Sequence, residues 1–141
     1  RFSLNPHADP IQGKLLLMAN EKILMIDDED DIRTVAQMSL QTVGGFQVVL
    51  AANGEEGLEI CKKEKPDLIL LDVMMPGLDG PGTLKRLKEN PESAHIPVVF
   101  LTAKAQQMEL NELKTMGAAG VLTKPFDPMK LPDLLREYLT S

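Results

Sequence analysis

Cysteine is nearly missing from this chain of 141 residues: a single thiol, Cys61, has no partner for an intrachain disulfide. That points to a reducing compartment, the cytoplasm, and to a buried inert thiol within a helical pattern. Histidine is scarce as well. His7 and His95 alone supply neither a Ser-His-Asp triad nor a zinc centre. Positive charge is in deficit, with 15 Lys plus Arg against 21 Asp plus Glu and a formal net charge of −6. Direct nucleic-acid binding is disfavoured on that balance, because phosphate neutralisation needs a basic face and these lysines are scattered among acids. Long apolar runs are missing too. The run Leu15 to Ala19 is too short to cross a bilayer and its flanks lack a signal peptide's layout, so membrane insertion is not expected.

What is present is the composition of an ordinary globular protein, 43% hydrophobic and 26% charged, with enough chain for one domain and its core. Residues 1–20, with Asn5-Pro6, Asp9-Pro10 and Gly13, show no sustained period and read as a tail, a linker or a cloning remnant; residues 21–141 read as the domain.

From Lys22 onward, short continuous apolar runs recur at Ile23–Ile26, Phe46–Ala51, Leu68–Leu71, Val98–Leu101 and Gly120–Leu122. Continuous rather than alternating runs suggest strands covered on both faces, the habit of a parallel sheet. Amphipathic stretches separate them. Ile32, Val35, Ala36, Leu40 and Val43 follow helical spacing, with Gly44-Gly45 as a stop. Asn53 with Glu56 resembles a capping box, Leu84 and Leu87 continue a third helix that Asn90-Pro91 closes, and Met108, Leu113 and Met116 mark a fourth. Asp127-Pro128 opens a fifth through Leu131, Leu134, Leu135 and Tyr138, where Pro132 predicts a kink or a late start. The eight methionines read mostly as core filler. Five strand-helix units in succession predict an α/β fold, an open doubly wound parallel sheet with its working site beyond the carboxyl ends of the strands.

Those ends carry chemistry. The first strand runs into Asp27-Asp28-Glu29-Asp30-Asp31, the third ends in Asp72, the fourth in Thr102-Ala103 and the fifth in Thr123-Lys124-Pro125. Carboxylates about 4 Å apart repel by roughly 1 kcal/mol in water and roughly 4 at a partly buried site, so crowding them needs an offset. Three oxygen-donor acids suit a hard divalent cation such as Mg2+. A lysine then balances a phosphoryl group, a threonine hydroxyl donates to it, and a carboxylate serves as nucleophile to form an aspartyl phosphate. Asp72, alone at the end of the most hydrophobic strand, is the best nucleophile candidate. Glu29, Asp30 and Asp31 read more plainly as first-turn helix acids, favoured by the exposed backbone N–H groups.

The pieces IDDE at 26–29, LDVMMPGLDG at 71–80, LTAK at 101–104 and TKPF at 123–126, in this order, resemble the receiver domain of two-component response regulators. The resemblance implies the flavodoxin-like strand order 2-1-3-4-5, the order given for the chemotaxis receiver. It implies that Asp72 accepts a phosphoryl group from a sensor histidine kinase or histidine phosphotransfer protein, a signalling act in which the domain catalyses only its own phosphorylation and slow autodephosphorylation. Mg2+ is then held by Asp27, Asp28, Asp72 and the backbone carbonyl of Met74. Lys124 and Thr102 contact the phosphoryl group, with the backbone N–H of Ala103. The Lys124-Pro125 bond is expected cis, Pro76 and Gly77 shape the acceptor loop, and Gly80 supplies backbone angles other residues avoid. Output is expected from the face of the fourth helix, fifth strand and fifth helix, with a phosphorylation-dependent dimer among its forms, as a stand-alone receiver or part of something longer. Val121 departs from the resemblance, standing where an aromatic residue usually couples to the threonine. Met74 and Lys104 occupy places that tune access of water to the phosphoryl group.

Three rivals fit less well. A magnesium phosphohydrolase wants Asp-x-Asp after its first strand, which Asp27-Asp28-Glu29 does not supply. A flavin or nucleotide site wants a Gly- or Ser/Thr-rich loop there, and five acids would repel phosphates. A phosphorylation-dead scaffold would lack some of the residues the chemistry needs, and none is missing.

Overall fold

The structure, a computed structural model, describes residues 21–103 and 107–139. Its elements are β1 (Lys22–Ile26), α1 (Asp30–Met38), β2 (Gln47–Ala51), α2 (Gly54–Glu64), β3 (Leu68–Asp72), α3 (Gly80–Glu89), β4 (Val98–Thr102), α4 (Gln107–Thr115), β5 (Gly120–Thr123) and α5 (Leu131–Leu139). All strand pairs are parallel and the order is β2-β1-β3-β4-β5. The strand order and the doubly wound architecture are those expected.

Continuous apolar runs work here because alternate residues feed different layers. Leu24, Ile26, Ile69, Leu71, Val98 and Phe100 pack on one face with Cys61 of α2, Leu84 and Leu87 of α3 and Leu113 of α4. Ile23, Met25, Leu68, Leu70, Val99 and Leu101 pack on the other with Ala36 of α1, Leu40, and Leu131 and Leu135 of α5. Every residue of β3 is buried, and each buried Leu or Ile contributes about 1.5–3 kcal/mol relative to exposure. Burial also pushes the Cys61 thiol up, which suits an inert core residue.

The helix ends follow local chemistry. Asn53 Oδ1 accepts from Glu56 N at 2.8 Å while Glu56 Oε1 accepts from Ala52 N at 3.1 Å, a reciprocal cap. Asp79 Oδ1 accepts from Gly82 N at 2.8 Å and starts α3. Residues 128–130 form a turn in which Asp127 Oδ1 accepts from Met129 N at 2.9 Å, so α5 starts late, at Leu131, and Pro132 falls where its missing N–H costs nothing.

The first helix stops at Gly44-Gly45 as expected, with Gly45 at φ +74°, after a π-helical turn, Ser39–Val43, that widens its end. Gly44 then lets this turn meet α5, since a Cβ there would stand 2.8 Å from both Leu40 O and Pro132 Cβ. The methionines are not mostly core filler. Of the six outside the undescribed segments and with placed side chains, Met25 and Met75 are buried, while Met38, Met74, Met116 and Met129 are exposed.

Candidate functional site

Parallel pairing brings the strand ends into register. Ile26 of β1 lies beside Leu71 of β3, Asp72 beside Leu101 of β4, and Thr102 beside Thr123 of β5. The residues that follow therefore gather at one edge of the sheet. One carboxylate oxygen each from Asp27, Asp28, Glu29 and Asp72 lies within 4.8 Å of all the others. Asp27 and Asp72 are buried, whereas Asp28 and Glu29 are exposed. Thr102 is buried at the end of β4, and Ala103 follows it at the surface.

Lys124 enters this cluster from β5. Its Nζ lies 3.0 Å from Asp27 Oδ2, 3.2 Å from Glu29 Oε1 and 3.3 Å from Asp72 Oδ1. Its backbone is fixed where Lys124 N donates to Thr102 O at 2.7 Å, ahead of a cis Lys124-Pro125 bond. Burial, the largest single influence on the Lys124 ammonium, disfavours its charge, yet the carboxylates of Asp27, Asp72 and Glu29 more than reverse this and hold its pKa above the ordinary value. The Asp72 carboxyl is instead pushed toward its neutral form. Burial first, then repulsion by Asp27, raises its pKa from 3.8 to about 7, against the pull of Lys124.

The first strand's exit is stiffly built. Asp27 Oδ1 accepts from Glu29 N at 2.9 Å, and Arg33 donates to Asp27 O at 2.6 Å. Asp27 Oδ2 is buried and makes no hydrogen bond among the described residues. Its near positive neighbour is the Lys124 ammonium, 3.0 Å away as an ion pair. An orphaned anionic oxygen in a group of four carboxylates with one lysine fits a hard divalent cation, whose charge would satisfy what Lys124 leaves unbalanced.

The loop from β3 to α3 closes over Asp72. Val73 N donates to Leu101 O at 3.1 Å, and Gly80 N donates to Val73 O at 3.0 Å. Here the sequence reading of Gly80 needs correction. It is Gly77 that takes a left-handed φ, +73°; Gly80 is required for space, since a Cβ there would stand 2.5 Å from Asp72 O and 2.7 Å from Val73 Cα. Met74 exposes its side chain at the mouth of this loop. Lys104 lies outside the described residues. Val121 is half-buried and pairs in register with Phe100.

Asp27, Asp28, Asp72, Thr102 and Lys124 are thus brought to one edge. Glu29 was misplaced by its sequence context. It is the residue preceding α1, makes no capping hydrogen bond, and sends its carboxylate to Lys124, 95 residues away, rather than serving only the helix end. Asp30 pairs with Arg33 one turn on, a local i,i+3 pair, and Asp31 is exposed. Arg33 was missed altogether, although its position one turn into a helix that starts at the acids was a usable signal. A groove of about 880 Å3 between α2 and α3, lined in part by Leu58, Cys61, Pro66, Leu87 and Ile96, lies at the opposite ends of the strands, away from this chemistry. Its size does not outweigh the convergence of charge at the carboxyl edge.

Known proteins resemble this chain in sequence and in fold. The family model for the response regulator receiver domain matches residues 23–136. Sporulation initiation phosphotransferase F of Bacillus subtilis is 41% identical over 122 residues, covering 86% of this chain and 96% of the relative. The alkaline phosphatase synthesis transcriptional regulatory protein PhoP of the same organism is 41% identical over 112 residues, covering 79% of this chain and 45% of the relative. The chain spans about half the length of the longer regulators it matches, as with the probable transcriptional regulator ycf27 of Porphyridium aerugineum, 49% covered at 39% identity over 86% of this chain. Among solved structures, the chemotaxis protein CheY4 of Vibrio cholerae superimposes with a TM-score of 0.79 at 33% identity, covering 84% of this chain and 98% of that one. A response regulator of Chloroflexus aurantiacus gives 0.81 at 31% identity, covering 86% and 99%. No described helix is long and apolar enough to cross a membrane. With its site at the carboxyl edge of a 2-1-3-4-5 sheet, the chain belongs to the response regulator receiver domains, the signalling modules of two-component systems that are phosphorylated on an aspartate.

Proposed function

We propose that Asp72 is the phosphoryl acceptor of this receiver, supplied by a phosphohistidine on a sensor kinase or phosphotransfer protein. One observation carries the reading: the Asp72 carboxylate, at the end of the central β3, sits 3.3 Å from Lys124 Nζ and within 4.8 Å of the carboxylates of Asp27 and Asp28. Asp27 is less suited to attack, because Oδ1 is engaged by Glu29 N and the side chain is fully buried. Asp28 stands at the surface.

Asp27, Asp28, Asp72 and the Met74 carbonyl would hold Mg2+. When bound, that ion supplies positive charge that draws Asp72 into its ionised form and offsets charge on the phosphoryl oxygens. An Asp72 oxygen attacks phosphorus, a new O–P bond forms, and the P–N bond of the donor breaks with its electron pair going to the imidazole nitrogen. Lys124 contributes a fixed ammonium to the incoming oxygens, Thr102 a hydroxyl and Ala103 a backbone N–H. The conformer with Thr102 and Ala103 turned to the phosphoryl group is thereby favoured, which shifts the population presented to an output partner or a second copy on the face of α4, β5 and α5. The cytoplasm, with its kinases and magnesium, is where such a domain works.

The test is mass spectrometry after incubation with acetyl phosphate and Mg2+. Wild type is expected to gain one phosphoryl adduct and Asp72→Asn none. An undiminished adduct on the variant removes Asp72 from this role.

A further inference from the structure

Lys124 has three ammonium protons and three carboxylates around them, from Asp27, Asp72 and Glu29. The three partners are not equivalent. Asp27 is fully buried and Asp72 nearly so, and neither can give up its cation without stranding a buried charge. The Glu29 side chain is 59% exposed and can exchange Lys124 for water at little cost. Its placement is nonetheless deliberate in physical terms. The Glu29 N–H is held by Asp27 Oδ1 at 2.9 Å, and its carbonyl accepts from Arg33 N at 3.1 Å, so both sides of its backbone are tied. At the position where a short side chain would cap α1, this longer one makes no cap and reaches across to Lys124 instead.

We propose that Glu29 is a positioning residue that tethers Lys124 in the unphosphorylated domain and is the partner Lys124 releases when a phosphoryl group arrives. The inference rests on the assignment of Asp72 as acceptor and adds a step to it. Among the described residues the Lys124 contact aligned as a hydrogen bond is the one to Glu29, so an arriving phosphoryl oxygen competes for that donor, and the exposed carboxylate yields first. Removing the tether therefore favours phosphoryl capture. Shortening it has the same effect even when the charge is kept, because Asp at position 29 is one methylene short of the 3.2 Å contact.

The test uses Glu29→Gln and Glu29→Asp at saturating Mg2+, so that altered metal affinity does not enter. Single-turnover phosphorylation by acetyl phosphate is measured, together with NMR of the Lys124 side chain in the metal-free protein. Both variants are expected to accept the phosphoryl group about two- to fivefold faster than wild type, the scale of an exposed ion pair. Both should also shift the Lys124 Cε–Hε signal. A faster Glu29→Gln with Glu29→Asp at the wild-type rate means simple repulsion of an anionic donor, and overturns the tether. So do wild-type rates, slower rates or an unmoved Lys124 signal in both. Asp72→Asn, run alongside, separates the two levels: an adduct that persists on it brings down the acceptor assignment and the tether with it, whereas an adduct confined to Asp72 with unresponsive Glu29 variants brings down the tether alone.

Discussion

Replacing Asp72 by Asn removes one negative charge from a cluster in which four carboxylates face a single lysine, and the metal-free fold should gain stability from it. In the folded domain the Asp72 pKa is raised from 3.8 to about 7, through burial and then through Asp27. Between those two values the folded state binds a proton that the unfolded chain releases, so wild-type stability falls as pH rises from about 4 to about 7 and is level above. At about 1.4 kcal/mol per pH unit the ceiling on the loss is about 4 kcal/mol. That ceiling already counts the pull of Lys124; relaxation around the charged carboxylate brings the expected net gain at pH 8 to about 2–3 kcal/mol. For a domain of this size that is a rise in Tm of roughly 6–12 °C. Urea denaturation in EDTA at pH 5 and pH 8, for wild type and variant, measures it. The advantage of Asn should be present at pH 8, shrink at pH 5, and shrink again when Mg2+ is added to wild type at pH 8. An Asn variant equal to or weaker than wild type at pH 8 in EDTA would refute the claim that uncompensated charge at Asp72 opposes folding.

Three further outcomes follow from the same geometry. Lys124→Met leaves the buried carboxylates of Asp27 and Asp72 without their cation, and should cost about 2–4 kcal/mol at pH 8 in EDTA; adding Asp72→Asn to it should recover part of that in urea titrations. Gly80→Ala puts a methyl 2.5 Å from Asp72 O and against Val73 Cα, a backbone clash expected to cost about 1–3 kcal/mol and to weaken Mg2+ binding in calorimetry by displacing the acceptor loop. Chelating Mg2+ should lower wild-type stability by about 2.7 kcal/mol from its value at a hundredfold excess over Kd, whereas Asp27→Asn should show little change between EDTA and magnesium in the same melting assay.

The order of elements was legible because five apolar runs of strand length alternate with helical spacing, and in a parallel sheet covered on both faces each run must be continuous. The Asn53 and Glu56 cap and the late start of α5, at Leu131 beside Pro132, were legible because both depend on residues a few positions apart. Gly80 and the methionines were not. A glycine required for space looks like one required for a positive φ until the neighbouring Asp72 and Val73 backbone is in view. A methionine, uncharged and flexible, gives no sign of which helix face it occupies.

By itself the sequence determined the fold class, the carboxyl edge as the working edge, and the acids, hydroxyl and lysine that reach it, because strand periodicity dictates where each chain segment must end. Only the tertiary structure decided how the charges are shared. Glu29 and Lys124 stand 95 residues apart and meet because β1 and β5 end at the same edge. Whether a carboxylate serves a helix end or a lysine is set by distances across the sheet, which local pattern does not encode.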